Sequence, residues 1–511
     1  MADKFANVEH AHTVLRSTLA KCHIARVFDV IHNLVQFRHY QQPLNRIGSI
    51  PRNLNIRPDS TFLPFPWELS ILAKEAAIHS TYFPQIDFGD WPTLATCVNA
   101  VKFLSHKLHP DYEDPDKGIW RQLQRIAHLQ FPWQQAVSTN DLGRNHALFS
   151  QDGLRQLTEN HFEADIDKLV FNAFGVASLF MNNATVDVPI KNVDAIFDKP
   201  TIEKIYSRVS IPIEIYRSEL RKKYALDENY EYSYNLIYSK PLIRLPYLRS
   251  MVSCPFPYLY MKRINDGIFY DLVSEEGFSD AMGTAFERFI GGLLEEELNG
   301  FDLYTEARFG PPKARKHSID FLARQEAVSL FVECKTKRPT WAAKFDIVDH
   351  RQYDSDLEKI AREIAKMYVN LNHYLSGDYE HVQPKQGEMV YPLFVTIEDW
   401  FLVQIGRGTR LRLVIDEYLT EREIDSGIVD RYPFEIMDIK TFEMLLSAID
   451  KVGVGRVLGD RQSSPHKNDF LSAYLQNRAE KLGCKERNWE IDWDQWIDRY
   501  RAQIPNPALP E

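Results

Sequence analysis

The sequence predicts a multidomain α/β protein. Three observations carry this. At 511 residues the chain can fill about two to four separate cores. Apolar residues recur at helical spacing through most of the first 185 positions, which reads as a mainly helical region. Between Phe301 and Lys337, short apolar runs broken by prolines and charges read as successive strands.

Taken from the N-terminus, residues 12 to 40 read as one helix or a pair, with Leu15, Leu19, Val27, Phe28, Ile31 and Val35 on the apolar side. Residues 41 to 66, rich in Pro, Asn and Arg, read as a loop. Helical patterns follow at 67 to 80, 93 to 107, 118 to 136 and 163 to 181. They make 1–185 a mainly helical N-terminal domain. The stretch His106 to Asp116 holds two histidines and four acids, but its two prolines and lack of a regular frame favour a solvated loop over a metal site. Residues 186–274 read as a connecting, mixed region. Val186 to Ile190 suits a strand, and Thr201 to Tyr224 is helical with a break at Pro212. Tyr230, Tyr232, Tyr234, Tyr238, Tyr247, Tyr258 and Tyr260 crowd this region. Such aromatics can stack bases, though packing in a core is the commoner use.

Asp280 to Leu298 reads as one amphipathic helix with Met282, Ala285, Phe286, Phe289, Ile290, Leu293 and Leu294 on its apolar stripe. Asn299-Gly300 ends it. Glu287 sits beside the stripe, with Gly283 and Gly291 a turn away on either side. Phe301 to Phe309, His317 to Arg324 and Val328 to Lys337 read as three strands. Leu330-Phe331-Val332 is a buried run, and Glu333 and Lys335 follow it two residues apart, hence on one face. A carboxylate and an ammonium leaving a buried strand together are costly unless they pair or hold a ligand. Asp320 and Glu333 from neighbouring strands, with the carbonyl of Cys334, offer the oxygen ligands a hard cation takes. Tyr353 to Leu375 reads as a further helix, then Tyr391 to Ile397 and Trp400 to Ile405 as strands. Arg407, Arg410 and Arg412 follow closely and can hold a phosphate backbone. Residues 411–511 read as a mainly helical C-terminal region, with Trp489, Trp493, Trp496 and Tyr500 at helical spacing.

Helix-borne Glu287, then Ile319-Asp320, then Glu333-Cys334-Lys335 on successive strands resembles the PD-(D/E)xK nuclease superfamily over residues 275–410, with Ile319 where the motif's name has proline. The resemblance implies a restriction-endonuclease-like core, a mixed central sheet flanked by helices. It implies Glu287, Asp320, Glu333 and Lys335 as catalytic residues. Asp320, Glu333, Glu287 and the Cys334 carbonyl would be ligands of Mg²⁺ or Mn²⁺. The helix after the third strand often lends such sites a polar residue, for which Lys366 is the candidate. No Gln-x-x-x-Tyr follows, which argues against the RecB-like branch.

Hydrophobic content of 44% and charged content of 26% set aside disordered and membrane-embedded classes. The net charge of −10 is no general mark of a nucleic-acid binder. Residues 305 to 345 nevertheless hold nine basic residues against four acidic ones, and Arg308, Lys313, Arg315, Lys316, Lys337 and Arg338 are the candidate phosphate contacts. Five scattered cysteines without a CxxC pair fit a reducing cytoplasm. No segment reaches the roughly 18 apolar residues of a membrane span, and no Walker A motif occurs. The expected function is metal-dependent hydrolysis of nucleic-acid phosphodiesters, DNA before RNA. Analogy with the family suggests a restriction-type or antiviral defence effector acting as a homo-oligomer or with a partner subunit. A repair or recombination nuclease and a non-catalytic nucleic-acid-binding scaffold are the alternatives.

Overall fold

The computed structural model describes residues 5–48, 50–51, 54, 56–108, 115–134, 138–187, 198–246, 251–345, 351–402 and 409–501. Tyr247, Arg407, most of the acidic loop before Pro115, and residues 188–190 and 403–405 of two expected strands lie outside them. The protein is α/β, and the chain divides into two compact units. Among the described residues no helix is long and apolar enough to cross a membrane.

The first unit comprises Met1–Asp111, Leu129–Phe278 and Trp489–Glu511. Helices Val8–Leu19, Ile24–Tyr40, Pro66–His79 and Trp91–Lys107 share a core that includes Leu15, Leu19, Phe28, Leu69, Ala73 and Leu104. Pro66 opens its helix, and the Glu68 carboxylate accepts from the Phe65 N–H at 2.7 Å, so the first turn satisfies its own donors. Arg38 is spent on structure. Its guanidinium donates to the carbonyls of Pro58, Ser60, Leu63 and Pro64 and pins the loop. Thr185–Asp187, Met251–Ser253, Leu242–Arg244 and Ser210–Pro212 form a small mixed sheet in that order. The tyrosine cluster is mostly core. Tyr230, Tyr232, Tyr258 and Tyr260 are buried, so these rings are not available to stack on bases. Trp493 stacks on Phe174 with ring centroids 4.3 Å apart.

The second unit comprises Tyr112–His128 and Ser279–Asn488. Its sheet is assembled from helix α1 (Phe278–Glu297), strand β1 (Asp302–Thr305), the short pair β2 (Arg308–Phe309) and β3 (Lys316–His317), β4 (Phe321–Gln325), β5 (Val328–Lys335), helix α2 (Arg351–Leu375), β6 (Met389–Thr396), helix α3 (Arg410–Thr420), β7 (Glu435–Asp438) and helix α4 (Ile439–Val452). The strand order is β7-β6-β5-β4-β1. β1, β4 and β5 form an antiparallel meander, whereas β5, β6 and β7 run parallel. A parallel step needs a long crossover, which α2 provides. Its stripe of Leu357, Ile360, Ala361, Ile364, Tyr368 and Leu371 lies in one core with Phe331 and Phe394.

Three strand expectations change, and one strand is new. Phe301–Phe309 and His317–Arg324 are each interrupted, because Ala307 and Ser318 bond to each other outside the main sheet, by backbone at 2.9 Å and by the Ser318 hydroxyl at 2.9 Å. Trp400–Leu402 is not a strand. The Asp399 carboxylate accepts from Phe401 N–H at 2.7 Å, and Phe401 takes a positive φ of 45°, so the chain turns there. β7 was not anticipated within the C-terminal region. It ties residues beyond 411 to the sheet, helped by the buried pair of Arg461 and Glu435 at 2.8 Å. Arg412 is also structural, buried and paired with Asp416 and Asp430, so it cannot hold a nucleic-acid backbone.

Candidate active site

The site forms where β4 begins and β5 ends. Phe321 stands opposite Val332 in the antiparallel register, and one further step sets Asp320 beside Glu333. The turn before Asp320 is held from behind. Ile319 N–H donates to the buried Tyr379 hydroxyl at 3.0 Å. From the front, Asp320 Oδ2 accepts from the Cys334 N–H at 2.7 Å. This bond ties the carboxylate to the backbone near the end of β5.

Glu333 is 7% exposed and lies on a central strand. Lys335, on the same face, places Nζ 2.5 Å from Glu333 Oε1, 3.9 Å from Asp320 Oδ2 and 3.1 Å from the Cys334 carbonyl. Burial lifts the Glu333 carboxyl to about 8, with Asp320 adding to the rise and Lys335 opposing it. Burial also raises Asp320 despite Lys335 and the Cys334 N–H. Burial pulls the Lys335 ammonium down, but Glu333 and Asp320 outweigh it and hold it above its ordinary range. Glu287, on the exposed side of α1, is raised by burial and by Asp320. The charges of Asp320 and Lys335 both act on it.

Two further acids share this field, and sequence reasoning did not single them out. Glu306 raises both Glu287 and Asp320. It is brought there by the Ala307–Ser318 bonds, which sequence pattern does not encode. Glu363 on α2 raises Glu333. Its signal was available, since it directly precedes Ile364 of the buried stripe. Burial opposes its ionisation, but Lys366 and Lys337, each 3.1 Å from Oε1, hold it low. Lys366 thus pairs with Glu363, whose charge acts on Glu333.

The basic candidates fall into two groups. Arg308, Lys313, Arg315 and Lys316 are exposed on the β2–β3 hairpin. Lys316 lies 3.0 Å from His373 Nε2. Lys337 and Arg338 are half-buried, the first on Glu363 and the second close enough to Glu398 to lower that carboxyl.

No family model matches the chain, and no curated protein matches it. Among solved structures, the small subunit of the heterodimeric restriction endonuclease R.BspD6I is similar at 11% identity, covering 43% of this chain and 89% of that one, with a TM-score of 0.16. At that TM-score the likeness carries no argument about this chain.

Asp320, Glu333, Glu287 and the Cys334 carbonyl are all oxygen donors, the set a hard divalent cation takes. The three carboxyls are all raised by burial, and Asp320 adds to the rise of the other two, a repulsion that such a cation would relieve.

Proposed function

We propose that the chain is a metal-dependent nuclease of the PD-(D/E)xK type, with Asp320, Glu333, Glu287 and the Cys334 carbonyl holding Mg²⁺ or Mn²⁺. The observation that carries this reading is the convergence of Asp320, Glu333 and Lys335 at the joined ends of β4 and β5, within 3.9 Å of the lysine nitrogen. The order helix, antiparallel meander, crossover helix and parallel strand supports this reading. When bound, the metal would lower the pKa of a water and neutralise phosphate charge. Of the roles open to Lys335, its raised pKa favours a fixed cation that orients the nucleophile or stabilises charge developing on the phosphate over a proton acceptor. The exposed hairpin from Arg308 to Lys316 would meet the phosphate backbone. DNA is the preferred substrate class, and a restriction-type or defence role is the preferred setting.

The test is cleavage of supercoiled plasmid, linear duplex, single-stranded DNA and RNA with Mg²⁺, with Mn²⁺ and with EDTA. Asp320→Asn and Lys335→Ala should each lower the metal-dependent rate by about 10²–10³-fold or more while the variants stay folded and still bind nucleic acid. Cutting that persists in both variants would remove the site proposed. Binding without any cutting in the parent would favour the scaffold reading.

A further inference from the structure

A second cluster of metal-ligating side chains lies in the first unit. His12 is on the helix Val8–Leu19, and Glu75 and His79 lie one turn apart on the helix Pro66–His79. Their ligand atoms are all within 4.8 Å of one another. Glu75 is fully buried. Its two oxygens accept from the Tyr224 hydroxyl at 3.0 and 3.3 Å, and that hydroxyl lies 2.7 Å from His12 Nε2. His79 Nε2 is shut away from solvent without a hydrogen-bond partner, although Glu75 Oε2 is only 3.4 Å away. A buried imidazole nitrogen left without an aligned partner is costly. A separation near 3.4 Å is nevertheless what two ligands of one ion show. Bonds of about 2.0–2.1 Å in a tetrahedral shell set ligands about 3.4 Å apart.

We infer that His12, Glu75 and His79 bind a borderline transition-metal cation of the Zn²⁺ class, with Tyr224 holding the carboxylate in place. Two imidazoles and one carboxylate suit Zn²⁺ and disfavour Mg²⁺ or Ca²⁺, which take oxygen shells. The charge states agree with the geometry. Burial opposes ionisation of Glu75, but His79, Lys74 and His12 outweigh it and keep the carboxyl low. Burial, with His79 and Arg16, lowers His12 against the pull of Glu75, the direction that frees a ring nitrogen from its proton. Lys74, the buried neighbour of Glu75, is turned to Tyr230 O at 2.9 Å and Ser233 Oγ at 2.8 Å. The ion would clamp the helix Val8–Leu19 to the helix Pro66–His79. This site is separate from the proposed nuclease site and does not rest on it.

Co²⁺ titration of the full chain, followed by visible absorption, tests the inference. One equivalent should give the intense bands of tetrahedral Co²⁺, and Zn²⁺ should displace them and raise the thermal midpoint. The signal should survive Asp320→Ala and disappear in His79→Ala. Tyr224→Phe should weaken Zn²⁺ binding by about 10–100-fold, as loss of a ligand's hydrogen-bond partner does. His79→Gln, checked for folding by circular dichroism, serves if the alanine variant does not fold. Absence of the bands in the parent, or equal bands in the parent and His79→Gln, would overturn the inference.

Discussion

Glu333 is the residue on which the site's electrostatics turn. A buried carboxyl with a raised folded-state pKa binds a proton that the unfolded chain has released. Stability is therefore greatest below the unfolded pKa and falls as pH rises. For Glu333 the window runs from the ordinary 4.5 to about 8. Without divalent metal, the denaturation midpoint should carry a downward slope across this window, and Glu333→Gln should flatten it. Mg²⁺ or Mn²⁺, competing with the proton, should stabilise the parent more at pH 8 than at pH 6. Equal slopes in parent and variant, by urea melts at several pH values, would contradict this account. The adjacency of Glu333 and Lys335 was legible in sequence because a strand's two-residue period needs no tertiary information. Glu306 was not legible, because Ala307 and Ser318 bring it to Asp320 from outside the main sheet.

At the scale of elements, α1 matters for how close it comes to the sheet. A Cβ on Gly291 would stand 3.0 Å from Cε1 and Cζ of Phe321, whereas one on Gly283 would meet nothing within 4 Å. Phe321 follows Asp320 directly, so pressure on its ring passes to the site. Gly283→Ala should stabilise α1 by up to about 1 kcal/mol from helix propensity alone. Gly291→Ala should lose that gain to crowding, and Gly291→Val should destabilise by about 1–3 kcal/mol and slow cleavage. Urea melts of the three variants decide it, and identical responses at 283 and 291 would sink the close-approach argument. The long helices were legible because their stripes are long. Thr139–Phe149, Asp152–Phe162 and Arg410–Thr420 were not read as separate helices, since eleven residues give a weak period. β7, four residues long with acids at both ends, resembles no buried strand until β6 is beside it.

At the scale of the whole molecule, boundaries drawn along the sequence miss how the second unit is put together. The four segments expected, 1–185, 186–274, 275–410 and 411–511, cannot represent a unit that also includes Tyr112–His128. Buried Gln124 donates to the Trp400 carbonyl at 2.8 Å, and buried Arg125 donates to the Phe345 carbonyl at 3.1 Å. A fragment of residues 275–511 leaves both carbonyls without these donors, at a cost of about 1–3 kcal/mol each. It should therefore melt below the second unit's transition in the full chain, and an equal midpoint by calorimetry would show that the segment is dispensable. Charge is distributed as unevenly as contacts. A chain of net charge −10 repels a polyanion at long range, so the exposed cations of the β2–β3 hairpin must act at short range if they act on phosphate. Each phosphate contact contributes about −0.9 to the slope of log affinity against log salt for duplex DNA. Lys313→Glu with Arg315→Glu should weaken duplex binding at low salt and make that slope shallower by about 2. The loss should be the same for unrelated sequences, because phosphate contacts carry no base information. Anisotropy titrations across a salt series would measure it, and an unchanged slope would take the hairpin out of the nucleic-acid interface.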